Sequence, residues 1–339
     1  MIGVKRGILM ITYKRISEAA GVSESTVSKA LSGSAEISPK TAERIRSIAC
    51  ELGYYSDKRV LRREYSGALN PHVAIICPEI ISIFYSSIAE SLIHEIMWHG
   101  GRATVMISRF GSDEVKLIVD SVAGNPDFDG IISMQDFECK KNLNIPVVFL
   151  SHGKNAEDFD EVYCDANKDI ETAVEYLLTL GHRIIGFGGE MHTVSKEEKF
   201  RECLKKHNCT VYEEYISRTE KRFYDAGREC FRKYKKNDMV FPDAIVFAYD
   251  EIALGFMAEA AKNGVKIPDD VSVVGINNTP FCSVSSPTLT SVANFRPELA
   301  KKAYELLVSR ILGENFPPQN ICCDNKLVER ESVLHRKVK

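Results

Sequence analysis

Apolar residues recur at helical spacing in three short stretches within the first 54 residues. The stretches are Ile16, Ala19 and Ala20; Val27, Ala30 and Leu31; and Ile45, Ile48, Ala49 and Leu52. Thr12, Ser23 and Ser38 are residue types that cap helices, and Gly21 permits a sharp turn. The pattern predicts three short helices with a tight turn between the first two, which is a helix-turn-helix.

The second predicted helix directs only short polar or long charged side chains away from the core. These outward positions are Glu24, Ser25, Ser28 and Lys29. The major groove of DNA admits such a helix, with its N-terminal residues facing the base edges. A simple packing module is the alternative, and the polar outward face favours DNA binding over it.

The pattern changes twice beyond this unit. Tyr54–Pro71 is polar and charged, has little apolar periodicity, and is typical of a linker. Apolar runs then alternate with helical periods. The runs are 72–77, 103–107, 130–133, 146–150, 184–187, 244–247 and 271–275, and the helical periods are about 84–98, 112–123, 167–180, 195–207, 224–235, 250–263 and 296–312. This alternation predicts a doubly wound α/β body with parallel sheets. We expect a head at 1–54, a hinge at 55–71 and a body at 72–339.

The charge is divided unevenly along the 339 residues. The net charge is -3, yet residues 1–66 carry 12 Lys and Arg against 7 Asp and Glu. A basic head on an acidic body fits DNA binding, because cations neutralise backbone phosphates. The candidate phosphate partners are Lys14, Arg15, Lys40, Arg44, Lys58, Arg59, Arg62 and Arg63.

Several other classes of protein fit the sequence poorly. We expect no membrane segment and no signal peptide, and therefore a cytoplasmic protein, because long apolar runs are absent from the sequence. Ten scattered cysteines are interpreted as reduced apolar fillers. Cys203, His207 and Cys209 lack a fourth metal ligand, so no metal and no cofactor are expected.

Signals for catalysis are weak. Gly186–Gly189 lacks the third glycine of a dinucleotide fingerprint and the lysine of a P-loop. His182 precedes a predicted strand and is interpreted as a structural hydrogen-bonding residue. The sequence therefore predicts no enzyme, and an enzyme of the doubly wound class would need catalytic groups that converge at the strand ends.

The head and body motifs together resemble the LacI/GalR (lactose-repressor) family of bacterial transcription regulators over nearly the whole chain. The matching segments are Ile16–Gly33 (ISEAAGVSESTVSKALSG), Ile37–Thr41, Glu51–Tyr54, Gly181–Phe187 (GHRIIGF), Asp250–Gly255, Pro268–Gly275, Pro287–Val292 and Val328–Ser332. The resemblance implies a homodimer that binds a near-palindromic operator, most often as a repressor. The body would then have two periplasmic-binding-protein-like lobes, about 72–164 with 293–324 and about 165–292 with 325–339.

By matching position, the resemblance assigns DNA contacts in the head and hinge. Base contacts fall to Glu24, Ser25 and Lys29. The other candidates are Thr12, Tyr13, Ser23, Thr26 and Ser28 in the head, with Arg59, Leu61, Arg62 and Arg63 in the hinge. Helix capping or a core-facing hydroxyl is the alternative role for Thr12, Ser23, Thr26 and Ser28.

The hinge departs from the family pattern. Arg63 stands where the family places a leucine that wedges into the minor groove, and Leu61 is the nearest apolar residue. The hinge is expected to bind by charge, with Arg63 at the minor groove. A displaced wedge at Leu61 is the alternative.

The resemblance also implies a small effector, a sugar or sugar derivative, held by side chains at strand ends. The matching positions are Ser82, Phe84, Tyr85, Lys196, Arg222, Phe223, Asp250 and Asn277. Lys196 and Arg222 replace an arginine and an aromatic residue, and Asn277 replaces an aspartate. These changes suggest an anionic effector, because the two cations supply charge-assisted donors. A neutral sugar is the alternative.

A transport protein that binds sugars shares the two-lobed fold and is the rival interpretation. The segment 12–53 and the lack of a signal peptide count against it. The chain ends at Lys339 without a leucine heptad, so a dimer is favoured over a tetramer.

Overall fold

We analysed a computed structural model of the chain. It describes residues 12–336 apart from 32–33, 35, 53, 55–69, 138–142, 152–158, 237–238 and 295. The hinge candidates Arg59, Leu61, Arg62 and Arg63 lie outside the described residues.

The head consists of three helices around a small apolar core. These are α1 (Tyr13–Ala20), α2 (Glu24–Leu31) and α3 (Pro39–Glu51). The core includes Ile16, Val27, Ile45 and Ala49, all fully buried. Gly21 has a φ of 65°, the left-handed conformation that ends α1 and lets the chain turn into α2. The predicted helix-turn-helix is confirmed, although Ala19 is exposed and Ser17 is buried in its place.

The chain divides into two compact units, 1–162 with 299–321 and 163–298 with 322–339. We call them unit 1 and unit 2. The chain passes between them after Val162, Glu298 and Ile321.

The first sheet has strand order β11-β5-β4-β3-β1-β2. Its strands are β1 (His72–Cys77), β2 (Arg102–Ile107), β3 (Gly130–Ser133), β4 (Val147–Ser151), β5 (Asp160–Cys164) and β11 (Asn320–Cys323). The pairs of β1 with β2, β1 with β3 and β3 with β4 are parallel. Helices α4 (Ile83–Trp98), α5 (Ser112–Ala123) and α10 (Arg296–Ile311) accompany these strands.

The second sheet has the same arrangement, with strand order β12-β10-β9-β8-β6-β7. Its strands are β6 (Ile185–Glu190), β7 (Ile216–Thr219), β8 (Ala244–Phe247), β9 (Ser272–Ile276), β10 (Thr290–Asn294) and β12 (Asn325–Val328). All described pairs are parallel except β10 with β12. Its helices are α6 (Ala166–Thr179), α7 (Val194–Lys206), α8 (Phe223–Lys236) and α9 (Asp250–Lys262).

The predicted doubly wound α/β class is therefore confirmed in both sheets. In each sheet the strand order reverses beside the first strand, between β1 and β3 and between β6 and β8. Ligands of doubly wound folds bind at the carboxyl ends of the strands next to such a reversal. The side chains that follow β6, β8, β9 and β10 are therefore the first place to look for a ligand site.

Among the described residues, no helix is long and apolar enough to cross a membrane. No group of three or more His, Cys, Asp or Glu side chains in the described part of the chain is placed to hold a metal ion. Cys203 is 1% exposed and belongs to the core of unit 2, where burial raises its pKa to about 11.

Candidate DNA-binding head and ligand site

Helix α2 presents the predicted base-contacting side chains on its outer surface. Glu24 and Ser25 are exposed, whereas Ser28 and Lys29 are partly exposed. On the opposite face, Val27 and Ala30 are completely buried, which fixes the rotation of the helix. The spacing of the two buried residues therefore explains why the polar residues point outward.

Two of the predicted phosphate contacts, Ser23 and Thr26, take part in capping α2. The Thr26 amide donates to Ser23 Oγ at 3.1 Å, and the two hydroxyl groups lie 2.8 Å apart. Ser38 and Thr41 repeat the arrangement at the start of α3, with 3.2 Å between Thr41 N and Ser38 Oγ. The capping role that the sequence left open is present in this structure for Ser23, and the Thr26 hydroxyl bonds to the capping side chain.

Thr12 and Tyr13 differ from Ser23. Thr12 occupies the N-cap position of α1, but its side chain makes no capping hydrogen bond and is exposed. Tyr13 packs against Tyr54 with ring centroids 5.7 Å apart, so part of its surface belongs to the head core. The Thr12 hydroxyl remains on the surface as a candidate phosphate contact.

Two arginines of α3 bind the ends of the other helices. Arg44 donates to the carbonyl of Ala20 at the end of α1, and Arg46 donates to the carbonyl of Ala30 at 3.4 Å. Cations near helix C-termini satisfy carbonyls that have no partner within the helix. We therefore assign Arg44 a structural contact that the charge pattern did not predict.

Lys29 forms an ion pair with Glu36, a residue that sequence analysis did not select. The side chains are 45% and 68% exposed, so water screens the pair. A guanine that accepts from Lys29 must compete with the Glu36 carboxylate. The seven-residue separation across the α2–α3 connection explains why no helical pattern predicted the pair.

In unit 1, the predicted effector contacts follow β1. Ser82 is 7% exposed, and Phe84 and Tyr85 lie in the first turn of α4. The Tyr85 ring packs edge-on against Phe110, with centroids 5.9 Å apart, and against Phe84 at 5.2 Å. The predicted aromatic residues thus form a cluster that includes Phe110, which lies beyond the end of β2.

In unit 2, polar side chains and one phenylalanine lie together at the carboxyl ends of the strands. We call this the carboxyl-edge cluster, and it consists of Asp169, Glu190, Lys196, Arg222, Phe223, Tyr249, Asp250, Asn277, Asn294 and Arg296. Sequence analysis selected Lys196, Arg222, Phe223, Asp250 and Asn277. The other five members were missed.

Arg222 is held by a buried carboxylate. Its Nε lies 3.4 Å from Oε1 of Glu190, which is only 2% exposed, and its guanidinium lies over the Phe223 ring at 4.5 Å. The Phe223 amide donates to the second Glu190 oxygen at 3.3 Å. The cation that suggested an anionic effector therefore already has a counter-charge.

Lys196 lies among buried acidic residues. Its Nζ donates to the carbonyl of Ala248 at 2.8 Å. Burial lowers the pKa of Lys196, against the opposing influence of Asp169, Asp250 and Glu251. Burial raises the pKa of Asp169, although Lys196, Asn325 and Asn294 oppose that shift. The acidic neighbours of Lys196 therefore offset its positive charge, which leaves no excess positive charge there for an anion.

Asp250 is completely buried, and protein donors bind both of its oxygens. Ser291 Oγ donates to Oδ1 and the Thr279 amide donates to Oδ2, each at 2.6 Å. Burial raises the pKa of Asp250 despite these donors. Through these bonds Asp250 positions the loop after β9, and its contact with an effector stays a prediction.

That loop carries Asn277, which has a φ of 99° and is 6% exposed. Its carbonyl accepts from Arg296, and its side-chain oxygen accepts from Asn294 Nδ2 at 3.4 Å. Within the described residues, three buried polar atoms of the cluster have no hydrogen-bond partner: Oδ1 of Asn294, Nε of Arg296 and the hydroxyl of Tyr249. Such atoms need a partner, so the cluster retains an acceptor, a donor and a hydroxyl group for a bound molecule.

The geometry of the head and of the two sheets agrees with known proteins. Residues 12–57 match the family described as bacterial regulatory proteins, lacI family, and residues 174–333 match a periplasmic binding protein-like domain. The chain belongs to the LacI family. As a LacI-family member, it is a DNA-binding transcriptional regulator with a helix-turn-helix head.

Relatives support this LacI assignment along the chain, and a solved structure shows the same fold. The HTH-type transcriptional regulator GntR of Pseudomonas aeruginosa is 26% identical, with 95% of each chain covered. The regulator DegA of Bacillus subtilis is 26% identical, with 95% of this chain and 98% of DegA covered. The solved lac repressor dimer bound to operator and the anti-inducer ONPF has a TM-score of 0.68, 21% identity and coverage of 96% and 99%. Similarity at that identity shows the fold of this LacI-family chain.

Proposed function

We propose that the protein is a repressor that binds a near-palindromic operator as a homodimer and responds to a hydroxylated, uncharged effector. The observation that carries the DNA part is the exposed face of α2 opposite buried Val27 and Ala30. Two heads are needed to read two half-sites related by a two-fold axis. The transport-protein alternative has no use for such a head.

Apolar surface supports assembly of two copies. Trp98 and Met97 are neighbours at the end of α4 and are 77% and 63% exposed. Exposed apolar surface of this kind often marks a site of protein association. We expect sedimentation at micromolar concentration to give twice the chain mass, and Trp98→Lys to shift the protein toward the monomer. The exposed Met191→Lys serves as a control in unit 2.

The uncharged effector follows from the carboxyl-edge cluster. Lys196, Arg222 and Arg296 stand with the acidic residues Asp169, Glu190 and Asp250, so the described residues provide no excess positive charge for an anion. Hydroxyl groups both donate and accept, which suits the available Asn294 oxygen and Arg296 nitrogen. A neutral sugar or sugar derivative is therefore favoured over the anionic alternative. The solved regulator CelR is a complex with cellobiose.

Two experiments test the proposal. Binding-site selection with purified protein is expected to enrich a near-palindromic sequence, and enrichment of no sequence would contradict operator binding. Thermal-shift screening with paired neutral and phosphorylated sugars is expected to show stabilisation by a neutral member. Asn294→Ala removes an available acceptor and should abolish that shift, whereas stabilisation by phosphorylated sugars alone would refute the uncharged effector.

A further inference from the structure

Three cysteines lie where the chain passes from unit 1 to unit 2. Cys164 ends β5, and Cys322 and Cys323 end β11. The unit boundaries fall immediately before Tyr163 and Cys322, and β5 and β11 are neighbours in the first sheet. Each strand is therefore one of the three chain connections between the units.

The register places Cys164 beside Cys323. The Glu161 amide donates to the carbonyl of Gln319 at 2.8 Å. The two strands run in the same direction, because Asp160 at the start of β5 accepts from the Gln319 amide before β11, and Lys168 after β5 contacts Asp324 after β11. In a parallel pair, an amide bonds to the residue that precedes its lateral neighbour, so Glu161 lies beside Asn320. Counting three residues along both strands brings Cys164 level with Cys323. A hydrogen bond with the Cys323 thiol is the largest cause of the raised pKa of Cys164, in agreement with this register.

The spacing of neighbouring strands suits a disulfide. Adjacent strands lie roughly 4.7–4.9 Å apart, and lateral neighbours point to the same face of the sheet. Disulfides span Cα separations of about 4.4–6.8 Å. Both residues are thiols in the structure. No large movement of the backbone is needed to join them.

The surroundings keep the pair reduced under mild conditions. Contact with the Cys323 thiol and burial raise the pKa of Cys164, and the nearby Asp169 and Cys322 act in the same direction. The Arg296 guanidinium also interacts electrostatically with Cys164. Because the thiolate is the reactive form, oxidation should be slow at neutral pH and faster at alkaline pH. Cys164 is half-buried and Cys323 is 2% exposed, so Cys164 is the thiol that an oxidant reaches first.

We propose that Cys164 and Cys323 are a redox modification site, at which a peroxide produces an intramolecular disulfide that restrains the connections between the two units. The regulatory meaning rests on the proposed function, because these strands are two of the three chain connections through which an effector could act on unit 1. Transient disulfides of this kind occur in redox-sensing proteins of reducing compartments.

The chemistry balances with hydrogen peroxide as the oxidant. The Cys164 thiolate sulfur attacks one peroxide oxygen, the O–O bond breaks, and hydroxide leaves and takes up a proton to become water. The resulting sulfenic acid is attacked by the Cys323 sulfur, its S–O bond breaks, and a second water leaves as the S–S bond forms. The two thiols lose two electrons, and the peroxide gains them.

Peptide mapping of the full chain tests the modification. Reduced protein is treated with hydrogen peroxide, free thiols are blocked, and the digest is analysed by mass spectrometry. We expect a cross-linked peptide pair containing Cys164 and Cys323, and its removal by dithiothreitol. The matched control is Cys322→Ser, which changes the exposed neighbour and should still form the pair. A Cys322 to Cys323 disulfide, or an absence of the expected pair, would overturn the proposal.

Exchange and melting measurements test the restraint. Peroxide should slow amide hydrogen exchange in 160–164 and 320–324 and raise the Tm by several degrees, because the bond closes a loop of about 160 residues in the unfolded chain. Cys164→Ser, at the half-buried position, should lose both effects even if Cys323→Ser folds poorly. A mapped disulfide with unchanged exchange in both strands would refute the restraint. None of these readouts depends on DNA or effector, so they fail independently of the proposed function.

Discussion

At the residue scale, the ion pairs define what each predicted contact can do. Lys29 forms an ion pair with Glu36, and Arg222 forms one with Glu190. A charged residue singled out from sequence offers its full charge to a ligand only when no neighbour has already bound it. Helix α2 and the carboxyl-edge cluster both contain such a competitor.

The Lys29 pair gives the first prediction. Lys29→Ala should weaken operator binding by about 10- to 100-fold and relax preference at one base, because the variant has no ammonium group to donate to guanine. Glu36→Gln should instead tighten binding several-fold, since it removes a competing carboxylate. A mobility-shift series with single-base operator variants measures both effects.

Lys40→Ala is the matched control for that series. Lys40 is exposed at the start of α3 and is a candidate phosphate contact, so its replacement should weaken binding to all sequences equally. If Lys29→Ala also weakened all sequences equally, Lys29 would belong with the phosphate contacts.

At the element scale, two helices of unit 2 approach each other through glycine. A Cβ at Gly227 of α8 would lie 1.9 Å from the Ile252 carbonyl oxygen, and one at Gly255 of α9 would lie 2.1 Å from that of Tyr224. Each contact is with backbone, which cannot rotate away. The helices must therefore separate to admit even one methyl group.

Gly255→Ala is predicted to lower the free energy of unfolding by about 1–3 kcal/mol, because the closely packed helices are forced apart. Urea denaturation measures the decrease. In Gly124→Ala, the nearest contact of the added methyl group is 3.2 Å, to the Asp120 carbonyl oxygen, so a shift of a few tenths of an ångström suffices and this control should lose much less stability. Equal stability of both variants would show that α8 and α9 tolerate separation.

Another element-scale feature is a C-terminal clamp in unit 2. His182 Nε2 lies 2.9 Å from the Leu334 carbonyl oxygen, and the amide of Arg336 donates to the carbonyl of Leu180. Asp243 accepts from the amides of Arg183 and Ile184 and from Arg336. These bonds fasten the last described residues to the start of β6.

The clamp gives a pH prediction. Burial lowers the pKa of His182, so the folded state prefers the neutral ring. The contribution of neutral His182 to the free energy of unfolding should be fully present above about pH 6.5, the pKa of histidine in the unfolded chain. That contribution should be lost as the pH falls toward the lower pKa of His182 in the folded state. Thermal melting should show a smaller decrease in Tm between pH 7.5 and 5.5 for His182→Gln than for the parent protein. His335→Gln, an exposed control on the same segment, should follow the parent protein.

The elements also show the limits of sequence reasoning. Long periodic helices such as Ser112–Ala123 were predicted with their exact residues or nearly so. Strands β5, β7, β10, β11 and β12 were missed, because they are short and carry polar or exposed positions. Asn294 and Arg296 were missed with β10, the strand at whose carboxyl end they lie. The Glu190–Arg222 pair depends on β6 and β7 being neighbours, and local patterns do not contain that information.

At the scale of the whole molecule, charge separates the DNA-binding part from the body. The excess of Lys and Arg within residues 1–66 contrasts with the net charge of -3 for the chain. Cations that replace counterions on DNA make affinity fall with salt, whereas an acidic body discourages stray contact with DNA.

A salt titration tests this division. In log–log form, operator affinity should fall linearly with salt concentration. Replacing both exposed residues Lys14 and Arg15 by alanine should make the slope shallower by about 0.9 for each phosphate that the two side chains neutralise. Lys168→Ala, an exposed lysine of unit 2 paired with Asp324, should leave the slope unchanged. A shallower slope in that control would assign the body a direct part in binding.

The interleaved boundaries of the two units have a consequence for synthesis on the ribosome. Unit 1 lacks α10 and β11 until residues 299–321 emerge, and unit 2 lacks β12 until 325–328 emerge. Domains generally fold as units during translation, but here each sheet receives an edge strand from residues 320–328. A premature stop near the end of the gene would therefore leave two unfinished sheet edges, one in each unit, and both would be exposed to aggregation.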